Sequence, residues 1–79
     1  MSRKKNEFLP ITHLLATNNI YYELKQKCIK STLVIPLLNV HIDKYYFDSN
    51  YYIYIQQKFV KKISEKELDK YKLKITKKY

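Results

Sequence analysis

No glycine occurs anywhere in this chain. Every turn must therefore be built from Asn, Asp, Ser or Pro, and no Gly-rich loop exists to cradle a phosphate. Cysteine occurs once, at Cys28, which excludes an intramolecular disulfide. His13 and His41 lie too far from Cys28 and from each other for a zinc-ligand spacing. Tryptophan is absent, and there is one alanine, one arginine and two prolines. No apolar run approaches the roughly 18 residues of a membrane span. The N-terminus has neither a secretory apolar region nor the Arg/Ser-rich amphipathic look of a transit peptide. The common staples of a small fold are missing.

What is present is positive charge. The chain has 79 residues, enough for one small domain. Fifteen lysines and one arginine against seven acids give a net charge of +9. That excess exceeds what solubility needs and points to a polyanionic partner, with a merely solvated basic surface as the plain alternative. Both ends carry runs, Arg3-Lys4-Lys5 and Lys72 to Lys78. Residues with G/C-rich codons are nearly missing, while Lys, Tyr, Ile and Asn abound. This bias suggests an AT-rich genome: an organelle, a parasite, a small virus or a phage. With no targeting peptide, an organellar protein of this kind is expected to be encoded in the organelle, with a mitochondrial matrix or similar location.

The stretch from Ser31 to Val60 alone is apolar enough to make a core. Val40, Ile42 and Tyr46 share one face of an incoming strand that also carries Lys44, and Asp48-Ser49-Asn50 makes a turn. In the returning strand, Ile53 and Ile55 point to one face and Tyr52 and Tyr54 to the other. Upstream, Thr12 is placed to cap a short helix through His13, Leu14, Leu15 and Ala16, which Asn18-Asn19 ends. Apolar spacing at 20, 21, 24 and 28, with Glu23 four residues before Lys27, predicts a second helix over Ile20 to Ile29. After the hairpin, Phe59, Val60 and Ile63 recur at helical spacing. Ser64-Glu65-Lys66-Glu67 fits a capping box that opens a helical turn before Leu68. Lys70 to Tyr79 alternates Lys with Tyr, Leu and Ile, as an edge strand or an extended basic tail. The expected fold is a single α+β domain. It comprises a basic arm (1–6), a core (7–69) with N-terminal helix or helices, a central β-hairpin or small sheet and a short helix after it, and a basic tail (70–79).

Nothing in the chain assembles a catalytic unit. His13 sits among apolar residues as a packed histidine, and the His41–Asp43 pair lacks a nucleophile. Ser31, Ser49 and Ser64 serve as strand-start, turn and cap residues, and Cys28 reads as a small buried hydrophobe. No enzyme activity, cofactor, metal or small-molecule substrate is expected. Tyr45, Tyr46, Tyr51, Tyr52 and Tyr54 admit two readings: stacking surfaces for unpaired bases, or core aromatics of a sheet. The scarcity of Arg argues against bidentate base reading, so the lysines specify affinity and not sequence.

Three ordered segments resemble the small-subunit ribosomal protein S-nineteen family. They are Met1-Ser2-Arg3-Lys4-Lys5 with Phe8 and His13-Leu14-Leu15; Lys30-Ser31-Thr32-Leu33-Val34-Ile35-Pro36; and Asp48-Ser49-Asn50 followed by Tyr52-Ile53-Tyr54-Ile55 and Phe59-Val60-Lys61-Lys62. The family's glycines are replaced throughout. The resemblance implies a structural protein in the head of the small ribosomal subunit, bound to small-subunit rRNA beside ribosomal protein S-thirteen. It implies RNA contacts at Arg3, Lys4, Lys5, Lys30, Ser31, Thr32, Lys61 and Lys62. Charge alone adds Lys58, Lys72, Lys74, Lys77 and Lys78. The rival reading is a small viral or phage protein that binds and inhibits a host nucleic-acid machine. A membrane-surface binder is a weaker third, because a strong amphipathic pattern is missing.

Overall fold

The computed structural model describes residues 7–76, with the backbone alone at 10, 69 and 72–76. Helix α1 (Leu9–Thr17) is followed by strands β1 (Glu23–Gln26) and β2 (Lys30–Ile35) and a single 3-10 turn (Pro36–Leu38). Strands β3 (Val40–Tyr45), β4 (Tyr51–Ile55) and β5 (Lys58–Ile63) lead to helix α2 (Glu65–Thr76). The five strands form one antiparallel meander in the order β1-β2-β3-β4-β5. This is the α+β domain expected, with a larger sheet than a single hairpin.

Helix α1 starts earlier than its sequence signals suggest. Pro10 has no N–H to lose in the first turn, so a start at Leu9 is tolerated. That start places Phe8, Ile11 and Leu15 three and four residues apart on one face, and all three are fully buried. Thr12 is therefore inside the helix and not its cap; its buried hydroxyl donates to Leu9 O at 3.1 Å. His13 falls on the opposite side and is exposed, which corrects its reading as a packed histidine. The Asn18-Asn19 break holds: Asn18 N–H donates to Leu14 O and Leu15 O, and Asn19 takes the left-handed φ of 58°. Asn here does the job usually given to Gly.

The helix expected over Ile20 to Ile29 is instead strand β1. Ile20 is buried with the core, but Tyr21 and Cys28 are exposed, so the helical stripe has nothing to cover. β1 meets the ladder groups on the outer side of β2, in a register from Glu23↔Val34 to Gln26↔Ser31. Cys28 sits at the β1–β2 turn, where Lys27 N–H donates to Lys30 O at 2.8 Å, and is not a buried hydrophobe.

β5 is also a strand where helical spacing was expected. A register shift at Ile53/Tyr54 leaves Val60 without a partner, so Phe59 pairs with Tyr54 and Lys61 with Ile53. One extra residue swaps the faces beyond it. Phe59 consequently points away from the helices while Ile63 enters the core, so two residues that a helix would place on one face lie on opposite faces of the sheet. The β4–β5 turn is Gln56-Gln57, both with left-handed φ (53° and 65°), as in a type I′ hairpin made without glycine.

The core lies between the helices and one face of the sheet. Phe8 just before α1, Ile11 and Leu15 of α1 and Leu68 of α2 pack with Leu33, Ile35, Val40, Ile42, Tyr51, Ile53 and Ile63. Full burial of each such aliphatic side chain contributes about 1.5–3 kcal/mol. Lys44 shares this face, as its alternation with Val40 and Ile42 requires. It is accommodated by an ion pair with Glu7 at 3.2 Å and by donating to Tyr45 O at 2.8 Å. α2 opens with the expected capping box: Ser64 N–H donates to Glu67 Oε1 and Glu67 N–H to Ser64 Oγ. The helix then runs to Thr76, so Lys70–Thr76 is helical and not an edge strand or extended tail. The arm at 1–6 and the last three residues lie outside the described residues.

Candidate nucleic-acid interface

Among the described residues, no element covers the opposite face of the sheet. Strand register makes its composition explicit. One row across all five strands is Lys25–Thr32–Asp43–Tyr52–Lys62. The next is Glu23–Val34–His41–Tyr54–Phe59. A partial third row sets Lys30 beside Tyr45. Alternation along each strand sends these side chains away from the helices.

The aromatic rings form a connected array. His41 and Tyr54 stack with centroids 4.4 Å apart and planes within 10°. Phe59 meets the edge of Tyr54 at 5.7 Å and tilts toward Tyr52 at 6.3 Å. Tyr52 and Tyr45 are edge-to-face at 5.7 Å, and Tyr45 continues to Phe47 at 5.7 Å. The Lys30 ammonium lies 5.4 Å from the Tyr45 ring centre. Each aromatic pair adds about 0.5–1.5 kcal/mol beyond area burial, yet two rings of the array stay open. Phe59 is 55% exposed and Phe47 81%.

The tyrosines thus divide between the core and the open face of the sheet. Tyr51 is a core residue, edge-on to Phe8 and donating to Glu7 O at 2.8 Å, and burial pushes its pKa up to about 12. Tyr45, Tyr52 and Tyr54 belong to the open face. Tyr46, just past β3, is partly exposed and accepts a hydrogen bond from Ser31 Oγ.

Most acids are occupied within the fold. Asp43, 4% exposed, accepts from Thr32 Oγ1 at 2.7 Å and from Lys30 Nζ at 3.2 Å, and the latter bond raises the Lys30 pKa. Asp48 accepts from the Tyr52 hydroxyl and from the Asn50 N–H, which hold its carboxyl below the usual range; the same bond raises the Tyr52 hydroxyl. Glu7 pairs with Lys44, Glu23 binds the Tyr21 hydroxyl and Lys25, and Glu67 is lowered by its capping bond to the Ser64 N–H. By contrast, Lys58, Lys61 and Lys62 on β5 are exposed and make no ion pair among the described residues. Lys61 lies 5.4 Å over the Tyr71 ring on the helix side, and Lys62 lies on the open side.

The residues singled out from the sequence therefore separate. Lys58, Lys61 and Lys62 come together on the outer strand. Lys30 faces the open side but is tethered to Asp43. Ser31 and Thr32 are buried, with their hydroxyls engaged by Tyr46 and Asp43, so they hold the sheet and present no free contact group. Lys72 and Lys74 fall within α2. Arg3, Lys4, Lys5, Lys77 and Lys78 lie outside the described residues. Phe47 and Phe59 carry no charge and were not picked out for a site. Unbroken alternation would set Phe59 on the face of Ile63, and the bulge at Val60 turns it to the open face instead. No group of His, Cys, Asp and Glu among the described residues is arranged to hold a metal, and no helix among them is long and apolar enough to cross a membrane. Comparison of the chain with protein-family models, curated proteins and solved structures returned no match.

Proposed function

We propose that this protein is a structural RNA-binding component of a ribonucleoprotein, and that the assembly is the small ribosomal subunit. Its ligand in this reading is small-subunit rRNA and its neighbours are head proteins such as ribosomal protein S-thirteen. It works in an AT-rich organelle such as the mitochondrion and performs no catalysis. The carrying observation is the asymmetry of charge use. Five acids, Glu7, Glu23, Asp43, Asp48 and Glu67, are engaged by internal pairs, turns and caps, while Lys58, Lys61 and Lys62 on β5 are exposed and make no ion pair among the described residues. The ordered resemblance to the S-nineteen family supplies the assembly. Lysines of this kind neutralise phosphates and set register on folded RNA without reading bases.

The first test is sedimentation of a native lysate at low and moderate salt, with fractions probed for this protein. Co-migration with the small ribosomal subunit that resists moderate salt is the expected result. Migration as a free protein, or with a polymerase or nuclease, overturns the ribosomal reading in favour of an inhibitor. On purified RNA, replacing Lys61 and Lys62 with Ala is expected to weaken binding and lower the salt slope by about two, at just under one per phosphate contact. An unchanged slope removes both from the interface.

A further inference from the structure

We infer that the uncovered sheet face is a stacking platform for unpaired bases, so that the RNA segment held there is single-stranded. The inference rests on the RNA-binding reading above and names the form of RNA that this surface accepts.

Three observations converge on it. Phe59 and Phe47, the two most exposed rings of the array, leave large apolar surfaces open to solvent. Between them the rings of Tyr52 and Tyr45 follow in steps of 6.3, 5.7 and 5.7 Å across β5, β4, β3 and the turn. Lysines frame the same face: Lys25 and Lys62 end the row that contains Tyr52, and Lys30 lies over Tyr45. Aromatic faces among cations complement a strand of flat bases on a phosphate backbone, each ring taking a base and each ammonium a phosphate. An apolar protein surface would fit the rings but would strip water from the lysines without repaying them. An RNA duplex would meet the lysines but leave the rings idle, because its bases are stacked on one another and its edges lie in the grooves. The neighbouring Asp43 and Asp48 do not defeat the match, since hydrogen bonds from Thr32, Lys30, Tyr52 and Asn50 already occupy them.

The test is fluorescence anisotropy with the full chain, using one labelled unstructured RNA both alone and annealed to its complement. Phe59→Leu and Phe47→Leu keep apolar bulk at exposed positions while removing the π-face. Phe59→Tyr keeps it. The single strand is expected to bind more tightly than the duplex. Each Leu variant should lose about fivefold or more in single-strand affinity, with the double variant losing on the order of a hundredfold. Salt slope and duplex affinity stay unchanged, and Phe59→Tyr binds like the parent. Circular dichroism confirms that each variant is folded, and Phe47→Tyr provides the same rescue at the second exposed ring. Leu variants that bind single strands like the parent, or a preference for duplex, overturn the platform while leaving the RNA reading intact. Absence of binding to either RNA at low salt overturns both.

Discussion

Asp43 shows how one buried carboxylate ties two strands and shapes the open face. It holds Thr32 and Lys30 of β2 from β3, and its burial makes the loss of either partner expensive. Asp43→Ala is expected to cost about 1–3 kcal/mol in urea unfolding, because the Thr32 hydroxyl and Lys30 ammonium lose their acceptor. Tyr51 carries a different sensitivity. Burial, with Glu65 and Glu7 adding negative field, raises its folded pKa from 10.0 to about 12, and Lys44 lies 6.0 Å from its ring centre. A raised pKa stabilises the fold below the unfolded value, and that contribution is lost as pH climbs from 10 toward 12. Urea midpoints at neutral pH and near pH 11 should therefore fall steeply in the parent. They should fall less in Tyr51→Phe, which starts lower for want of the hydrogen bond to Glu7 O. An equal fall in both would show that Tyr51 does not drive the alkaline transition.

Elements rather than residues explain where the chain's pattern was readable. The β3–β4 hairpin was plain because its strands are β-branched and aromatic and Asp48-Ser49-Asn50 separates them. The capping box was equally plain, since Ser64 and Glu67 meet within one helical turn and depend on nothing distant. β1 and β5 were not plain. The apolar residues of β1 suit either period, and its strand state comes from the ladder that β2 offers. In β5 the apolar residues at 59, 60 and 63 fall at helical spacing, and a bulge breaks the alternation by which a strand is read. The β4–β5 turn has no turn residue at all: Gln56 and Gln57 adopt left-handed φ because the two strands impose it. That strain predicts a gain. Gln57→Gly should stabilise the protein by about 0.5–1 kcal/mol, the left-handed penalty less the added freedom of the unfolded chain. A melting temperature that falls would mean that the Gln57 side chain holds the turn.

At the scale of the whole molecule, a net charge of +9 opposes compaction, and the fold offsets it with acids kept ionised by internal bonds. Asp48 and Glu67 have pKa values below their ordinary 3.8 and 4.5. Their contributions are present above those ordinary values and disappear as pH falls through the lowered ones. Acid unfolding is therefore expected to set in below about pH 4 and to be resisted by added salt, which screens the remaining lysines. Circular dichroism at pH 7 and pH 3, with and without salt, checks this. Full helix and sheet signal at pH 3 without salt would refute it. The same excess leaves Lys58, Lys61 and Lys62 on β5 exposed and without an ion pair among the described residues, so binding of a polyanion there is expected to be strongly salt-dependent. On the proposed RNA-binding reading, affinity for RNA should fall as ionic strength rises while any preference for unpaired bases should not.

What the sequence by itself determined is local or additive: the excess of positive charge, the absence of staples and Gly-rich loops, the hairpin, the helix break at Asn18-Asn19 and the cap at Ser64. Each depends on neighbouring residues or on a sum over the chain. Tertiary structure alone decided that residues 23–26 and 58–63 are strands, that Ser31 and Thr32 are buried, and that Tyr51 belongs to the core while Tyr52 and Tyr54 do not. It also decided that Phe47 and Phe59 share one open face with lysines from three strands. These outcomes depend on which backbone edge is left to pair and which side of the sheet the helices cover. Both are properties of the assembled sheet, because a strand's partners lie far from it in sequence.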